Sequence, residues 1–180
     1  MNHRGMTFVE LLFTLMITAV VLGVTIQVYI MVLTMYKNSQ TESALYADGK
    51  FIMEMVQSGE KSLYGLMKAR SNSIAIAADG RSVTFSVDKN GEYTQSTADD
   101  IGMSVALDDG DGDPDTTEDN EVVIDPNTAA ADDTFAVGSG VEDLQFALNG
   151  DVLTVNLTLV KTFRGDPMRV SLSRDIWVRN

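Results

Sequence analysis

The sequence predicts an α+β protein in which a long N-terminal α-helix packs its second half against an antiparallel β-sheet. Three observations predict it. From Leu11 to Tyr36 the chain carries no charge and no proline. Beyond Lys37 apolar residues keep a helical spacing as far as Ser58. The remainder is a series of short alternating runs parted by Asp-Gly and Asn-Gly turn signals. A length of 180 residues suits one domain with an appendage. The organisation expected is a polar leader at 1–5, an apolar helix at 6–36, and at 37–180 an amphipathic helical half with a β-rich head.

The apolar run exceeds the ~20 residues that span a bilayer as a helix, and Gly23 is its one glycine. Arg4 is the one firm positive charge ahead of it, which favours the N-terminal side in the cytoplasm. A secretory signal has a shorter apolar core and a small-residue cleavage site, and this run lacks a clean A-x-A exit. A plain anchor leaves Glu10 unexplained. A carboxylate at the bilayer centre costs roughly 2.5 kcal/mol or more, and a buried one needs a positive partner. At the membrane interface the same side chain would be cheap.

After Lys37, Ala44, Leu45, Asp48, Phe51, Ile52, Met55 and Val56 recur at three- and four-residue spacing, with Glu42, Lys50, Glu54 and Gln57 available for the other face. Gly59 is a plausible stop, and EKSLYGLMKAR adds a turn or two. A helix from Met6 to Ser58 would be roughly 80 Å long at the usual rise per residue. That far exceeds the ~30 Å of hydrocarbon, so its second half must pack on the rest of the chain.

Strands are expected at 73–78 and 81–87 around Asp79-Gly80, at 102–107 and 121–124, and at 143–148 and 152–160 around Asn149-Gly150-Asp151. A last strand covers 168–178. Leu153, Val155, Leu157 and Leu159 share one face, opposite Thr154, Asn156 and Thr158.

Composition narrows the function. The net charge of −13 and pI near 4.3 argue against nucleic acid as a partner and against an anionic lipid surface. With no cysteine there is no disulfide, thiol catalysis or thiolate metal site. The single histidine, His3, lies in the leader, so the head has no histidine triad or zinc site. No phosphate cradle or nucleophile motif stands out, and Gly138-Ser139-Gly140 reads as a turn. The chain is not expected to be an enzyme.

The order of the N-terminal parts is specific. A short leader, MNHRG, ends in glycine and is followed by Met6, Thr7, Phe8, Val9, Glu10 and the uninterrupted helix. This resembles the prepilin-type signal of type IV pilins and type II secretion pseudopilins. The resemblance implies cleavage by prepilin peptidase after Gly5, N-methylation of the new first residue Met6, and Glu10 as the fifth mature residue. Met6 stands where phenylalanine is usual. It implies too that Glu10 pairs with the α-amine of a neighbouring subunit's Met6 and so sets register in a helical fibre. The C-terminal hairpin and the ending IWVRN are similar to those of W-type minor pilins and the J-type pseudopilin.

Residues 99–133 hold 13 of the 26 acids, with no Lys or Arg between Lys89 and Lys161. Such a block repels itself unless it is disordered or neutralised. Within 108–121, Asp109, Asp111, Asp113 and Asp115 alternate, with Glu118, Asn120 and Glu121 beyond them. Alternating oxygen ligands in a turning loop are how Ca²⁺ sites gather their ligands. Compared with an EF-hand, Pro114 stands where glycine is needed and Asn120 where glutamate is needed. The segment instead resembles the aspartate-rich calcium loops of some extracellular modules and pseudopilins. A solvated acidic loop without metal is the alternative.

The function expected is therefore a structural subunit, a minor pilin or pseudopilin, of a type IV pilus or type II secretion pseudopilus. Its partners would be other such subunits, prepilin peptidase and an inner-membrane assembly platform. It would sit in the inner membrane with an extracytoplasmic head before joining the fibre. A major pilin, or a single-pass membrane-anchored extracytoplasmic calcium-binding module, are the alternatives.

Overall fold

The structure, a computed structural model, describes residues 7–59, 65–88, 100–108, 120–129, 135–163 and 165–178. Among the described residues one α-helix, α1 (Phe8–Ser58), precedes eight strands: β1 (Ala75–Ile76), β2 (Ser82–Asp88), β3 (Asp100–Asp108), β4 (Glu121–Asp125), β5 (Phe135–Ser139), β6 (Val141–Asn149), β7 (Val152–Phe163) and β8 (Asp166–Trp177). The α+β class holds. The chain divides into two units, Met1–Thr41 and Glu42–Asn180, with α1 running through the division.

In the first unit α1 has no breaker and no packed face. Its large apolar side chains run from 40 % exposed at Leu33 to 74 % at Phe8. The helix is long and apolar enough to cross a membrane.

The second unit holds two antiparallel sheets rather than the single one expected, in the orders β1-β2-β3-β4-β5 and β6-β7-β8. Both are meanders of sequential neighbours. They are stitched together where Phe146 N donates to Gly80 O at 2.8 Å and Val141 N to Asn120 O at 3.0 Å. Their inner faces and α1 share one core. Val83, Phe85, Met103 and Ile124 come from the first sheet, and Leu144, Leu153, Leu157 and Leu159 from the second. The alternation expected in β7 is present: Leu153, Val155, Leu157 and Leu159 are buried, while Thr154, Asn156 and Thr158 are not.

The helix face differs from the expected stripe. α1 buries Leu45, Gly49, Ile52, Met53 and Val56. Ala44 and Asp48 are exposed, Met55 is half-buried, and Phe51 is 57 % exposed. The reason is close approach. A Cβ on Gly49 would strike Leu172 Cδ1 and lie 2.7 Å from Leu159 Cδ1. The packed face is centred on a glycine, and a pattern of large apolar residues is rotated away from it.

Turn chemistry explains the remaining shifts. The β1–β2 turn is wider than the two residues expected. Ala77 N bonds Ser82 O, Gly80 N bonds Ala77 O, and Asp79 Oδ1 accepts Arg81 N at 3.0 Å. Gly80, at φ +74°, supplies the left-handed step. The first expected strand is cut short because Ser71–Ser73 forms a 3-10 turn. A second such turn, Leu66–Lys68, follows α1. The β6–β7 hairpin has a two-residue loop, Gly150-Asp151, with Asn149 already paired to Val152. β8 begins earlier than expected, at Asp166, which pairs with Phe163 of β7. β5 was not expected at all.

Candidate functional site

The first turn of α1 gives Glu10 a local role. Thr7 precedes the first helical residue, and Glu10 lies three positions on. Glu10 N donates to Thr7 Oγ1 at 3.3 Å, and Glu10 Oε2 accepts Thr7 N at 3.4 Å. This reciprocal pair is a capping box, satisfying two of the donors that every helix start leaves orphaned. The partial positive charge of the helix start favours the carboxylate there. Glu10 is therefore engaged within its own chain, not the partnerless acid that the apolar run suggested. The T-x-x-E spacing of Thr7-Phe8-Val9-Glu10 carried that signal. Gly5 and Met6 lie outside the described residues, so the cleavage and methylation expectations stand on sequence.

Further along, four threonines tolerate apolar surroundings by bonding inward. Thr14 Oγ1 donates to Leu11 O at 2.8 Å, Thr18 to Thr14 O at 2.7 Å, Thr25 to Val21 O at 2.8 Å and Thr34 to Ile30 O at 2.9 Å. In hydrocarbon a hydroxyl without a partner is costly, and the preceding turn's carbonyl removes that cost. This stretch of α1 is thus chemically suited to lipid.

The acidic segment falls mostly outside the described residues, including Asp109, Asp111, Asp113, Asp115 and Glu118. Its frame is described. β3 and β4 pair antiparallel with Asp108 opposite Glu121, so the segment is the connection between two neighbouring strands. Asn120 is engaged through its backbone carbonyl, which accepts Val141 N. Glu121 is half-buried at the start of β4. Among the described residues no three His, Cys, Asp or Glu side chains gather as a metal group.

A buried ion cluster lies at the far end of the same sheet. Asp88 and Asp100 are directly opposite in β2 and β3, and their side chains are 6 % and 8 % exposed. Arg70 reaches both, its Nη2 3.1 Å from Asp100 Oδ1 and 3.7 Å from Asp88 Oδ2. Asp100 Oδ1 receives charge from the guanidinium but no well-aligned hydrogen bond. Like charges on facing strands repel, so the arginine is what allows this pair to be buried. Arg70 N also donates to Ser86 O, tying the segment after α1 to β2. The arrangement is a structural clamp: both carboxylates are turned to one fixed cation. Sequence reasoning missed it because nothing local marks Arg70, Asp88 and Asp100 as neighbours.

On the outer face of the second sheet, Arg169 grips Glu142 with contacts of 2.7 to 2.9 Å from Nε and Nη2. That guanidinium, hydrogen-bonded to the carboxylate, holds Glu142 below the ordinary carboxylate range. No family model, curated protein or solved structure matches this chain.

Proposed function

We propose that this chain is a pilin-like structural subunit, a minor pilin or pseudopilin of a type IV pilus or type II secretion pseudopilus, assembled through its N-terminal helix. The observation that carries the reading is the coincidence of two features. Gly5 and Glu10 hold the prepilin register immediately ahead of a helix. Over residues 8–36 that helix has no packed partner within its own unit, with its threonine hydroxyls returned to its own carbonyls. Such a surface calls first for lipid and then for neighbouring helices. The head supplies a separate folded body behind it.

In this reading the helix holds the subunit in the inner membrane with the head on the extracytoplasmic side. Cleavage after Gly5 creates a Met6 α-amine, and Glu10 exchanges its contacts with Thr7 for the amine of a neighbour. The chain is a substrate of the peptidase and acts by packing, not by catalysis. The acidic segment is an accessory calcium loop of the head.

Mass spectrometry of the N-terminal peptide from native cells tests this. A first residue at Met6, bare or carrying one methyl group, is expected. An intact Met1, or a start beyond residue 30, would refute it. Glu10→Ala is then expected to leave membrane insertion intact while excluding the subunit from fibres.

A further inference from the structure

We propose that Gln27 joins α1 to the α1 of a second copy of this chain inside the membrane, through a reciprocal pair of side-chain amide hydrogen bonds. The inference rests on the reading that α1 crosses a bilayer, and it identifies the side chain that holds two such helices together.

The argument begins with unused donors. Between Leu11 and Met35 the polar side chains are Thr14, Thr18, Thr25, Gln27, Tyr29 and Thr34. Every threonine hydroxyl donates to a carbonyl of its own helix. The Gln27 side chain is exposed and makes no hydrogen bond among the described residues, and its amide offers two donors and an acceptor. It lies close to the middle of the apolar run, where water does not reach. An amide without a partner in hydrocarbon costs several kcal/mol on the apolar-transfer scale. The helix spends its own carbonyls on threonines and has no equivalent remedy for a glutamine.

Orientation then selects the partner. Two copies of one chain enter a membrane the same way round, so residues of equal number lie at equal depth. The group at the depth of Gln27 with both a free donor and a free acceptor is Gln27 of the other copy. Tyr29 is two residues on, about 200° round the helix, and so faces away. The approach is open as well: Gly23, one turn before Gln27 on the same face, has nothing within 4 Å of where a Cβ would stand. A parallel pair crossing near Gly23 brings the backbones close enough for the amides to meet.

The chain has no cysteine, so single introduced cysteines report unambiguously. The full chain in native membranes would carry Gly23→Cys, Ala19→Cys, Val21→Cys or Thr25→Cys and be oxidised with copper phenanthroline. Disulfide-linked dimers are expected from positions 19 and 23, which share the Gln27 face, and not from 21 and 25. Adding Gln27→Leu to Ala19→Cys should lower the dimer yield roughly three- to tenfold, and Gln27→Asn should restore part of it. Equal cross-linking on every face, or a yield unmoved by Gln27→Leu, overturns the pairing alone. Release of the chain from membranes by alkaline washing overturns the spanning reading, and the pairing falls with it.

Discussion

Leu22 and Leu157 are the same side chain in opposite circumstances, 57 % and 1 % exposed. Leu22 belongs to the stretch of α1 over residues 8–36, whose large apolar side chains have nothing folded over them. Leu157 lies in β7, where alternate residues enter a core shared with Ile52 and Val56 of α1. Each fully buried leucine contributes about 1.5–3 kcal/mol to folding. The head collects that contribution internally. Residues 8–36 can collect it only from a lipid or a neighbour. The difference teaches that one chain holds two kinds of stability: one in its own fold, one conditional on its surroundings.

Several changes would break or sharpen this contrast when unfolding of the head is followed by circular dichroism of the full chain in detergent. Arg70→Met should cost the most, about 3–5 kcal/mol, because it removes the cation that the buried Asp88 and Asp100 share. Leu157→Ala should cost about 3 kcal/mol through the cavity it leaves. Leu22→Ala, by contrast, should shift the same transition by less than about 0.5 kcal/mol; an equal effect from both leucines would end the distinction. Gly49→Ala gains helix propensity but drives a methyl into Leu159 and Leu172. A net loss of about 1–2 kcal/mol is expected.

Calcium at tenfold excess over its dissociation constant should stabilise the head by about 1.4 kcal/mol. Asp111→Ala should remove that gain, and no response at millimolar calcium would sink the calcium proposal. The smallest effect concerns Glu142. Its carboxyl is held below the ordinary range, so its pairing with Arg169 stabilises the head at neutral pH. The gain is lost as pH falls from the unfolded value, about 4.5, through the lower folded one. Both groups are on the surface, so salt should shrink it. The difference between wild type and Glu142→Gln across that pH range measures it.

The parts legible in the sequence were those with a local or strictly periodic cause. The apolar helix, the alternation of β7 and the Gly150 turn each follow from residues next to one another. Phe51 was misplaced because helical spacing marks a stripe of large residues, whereas the sheet chose the face where Gly49 let it come close. β5 escaped because Phe135–Ser139 is short and holds Gly138, which strand patterns count against it. Two sheets rather than one could not be read from strand patterns, since each strand alternates in the same way in either arrangement. At the start of α1, the bond between Glu10 and Thr7 was legible in the T-x-x-E spacing of Thr7-Phe8-Val9-Glu10. The Arg70 clamp joins residues from three separate segments and has no local mark.

The contact of Gly49 with Leu159 and Leu172 has a consequence in time. Ribosomes make α1 well before β8. Until β7 and β8 exist, Gly49 lacks the two leucines it packs against, Leu159 and Leu172, although β5 can already meet Ile52 at Gly138. β6, β7 and β8 pair in sequence order, and such local sheets form quickly once synthesised. The helix face at Gly49 therefore stays half-covered during synthesis until β7 and β8 close over it.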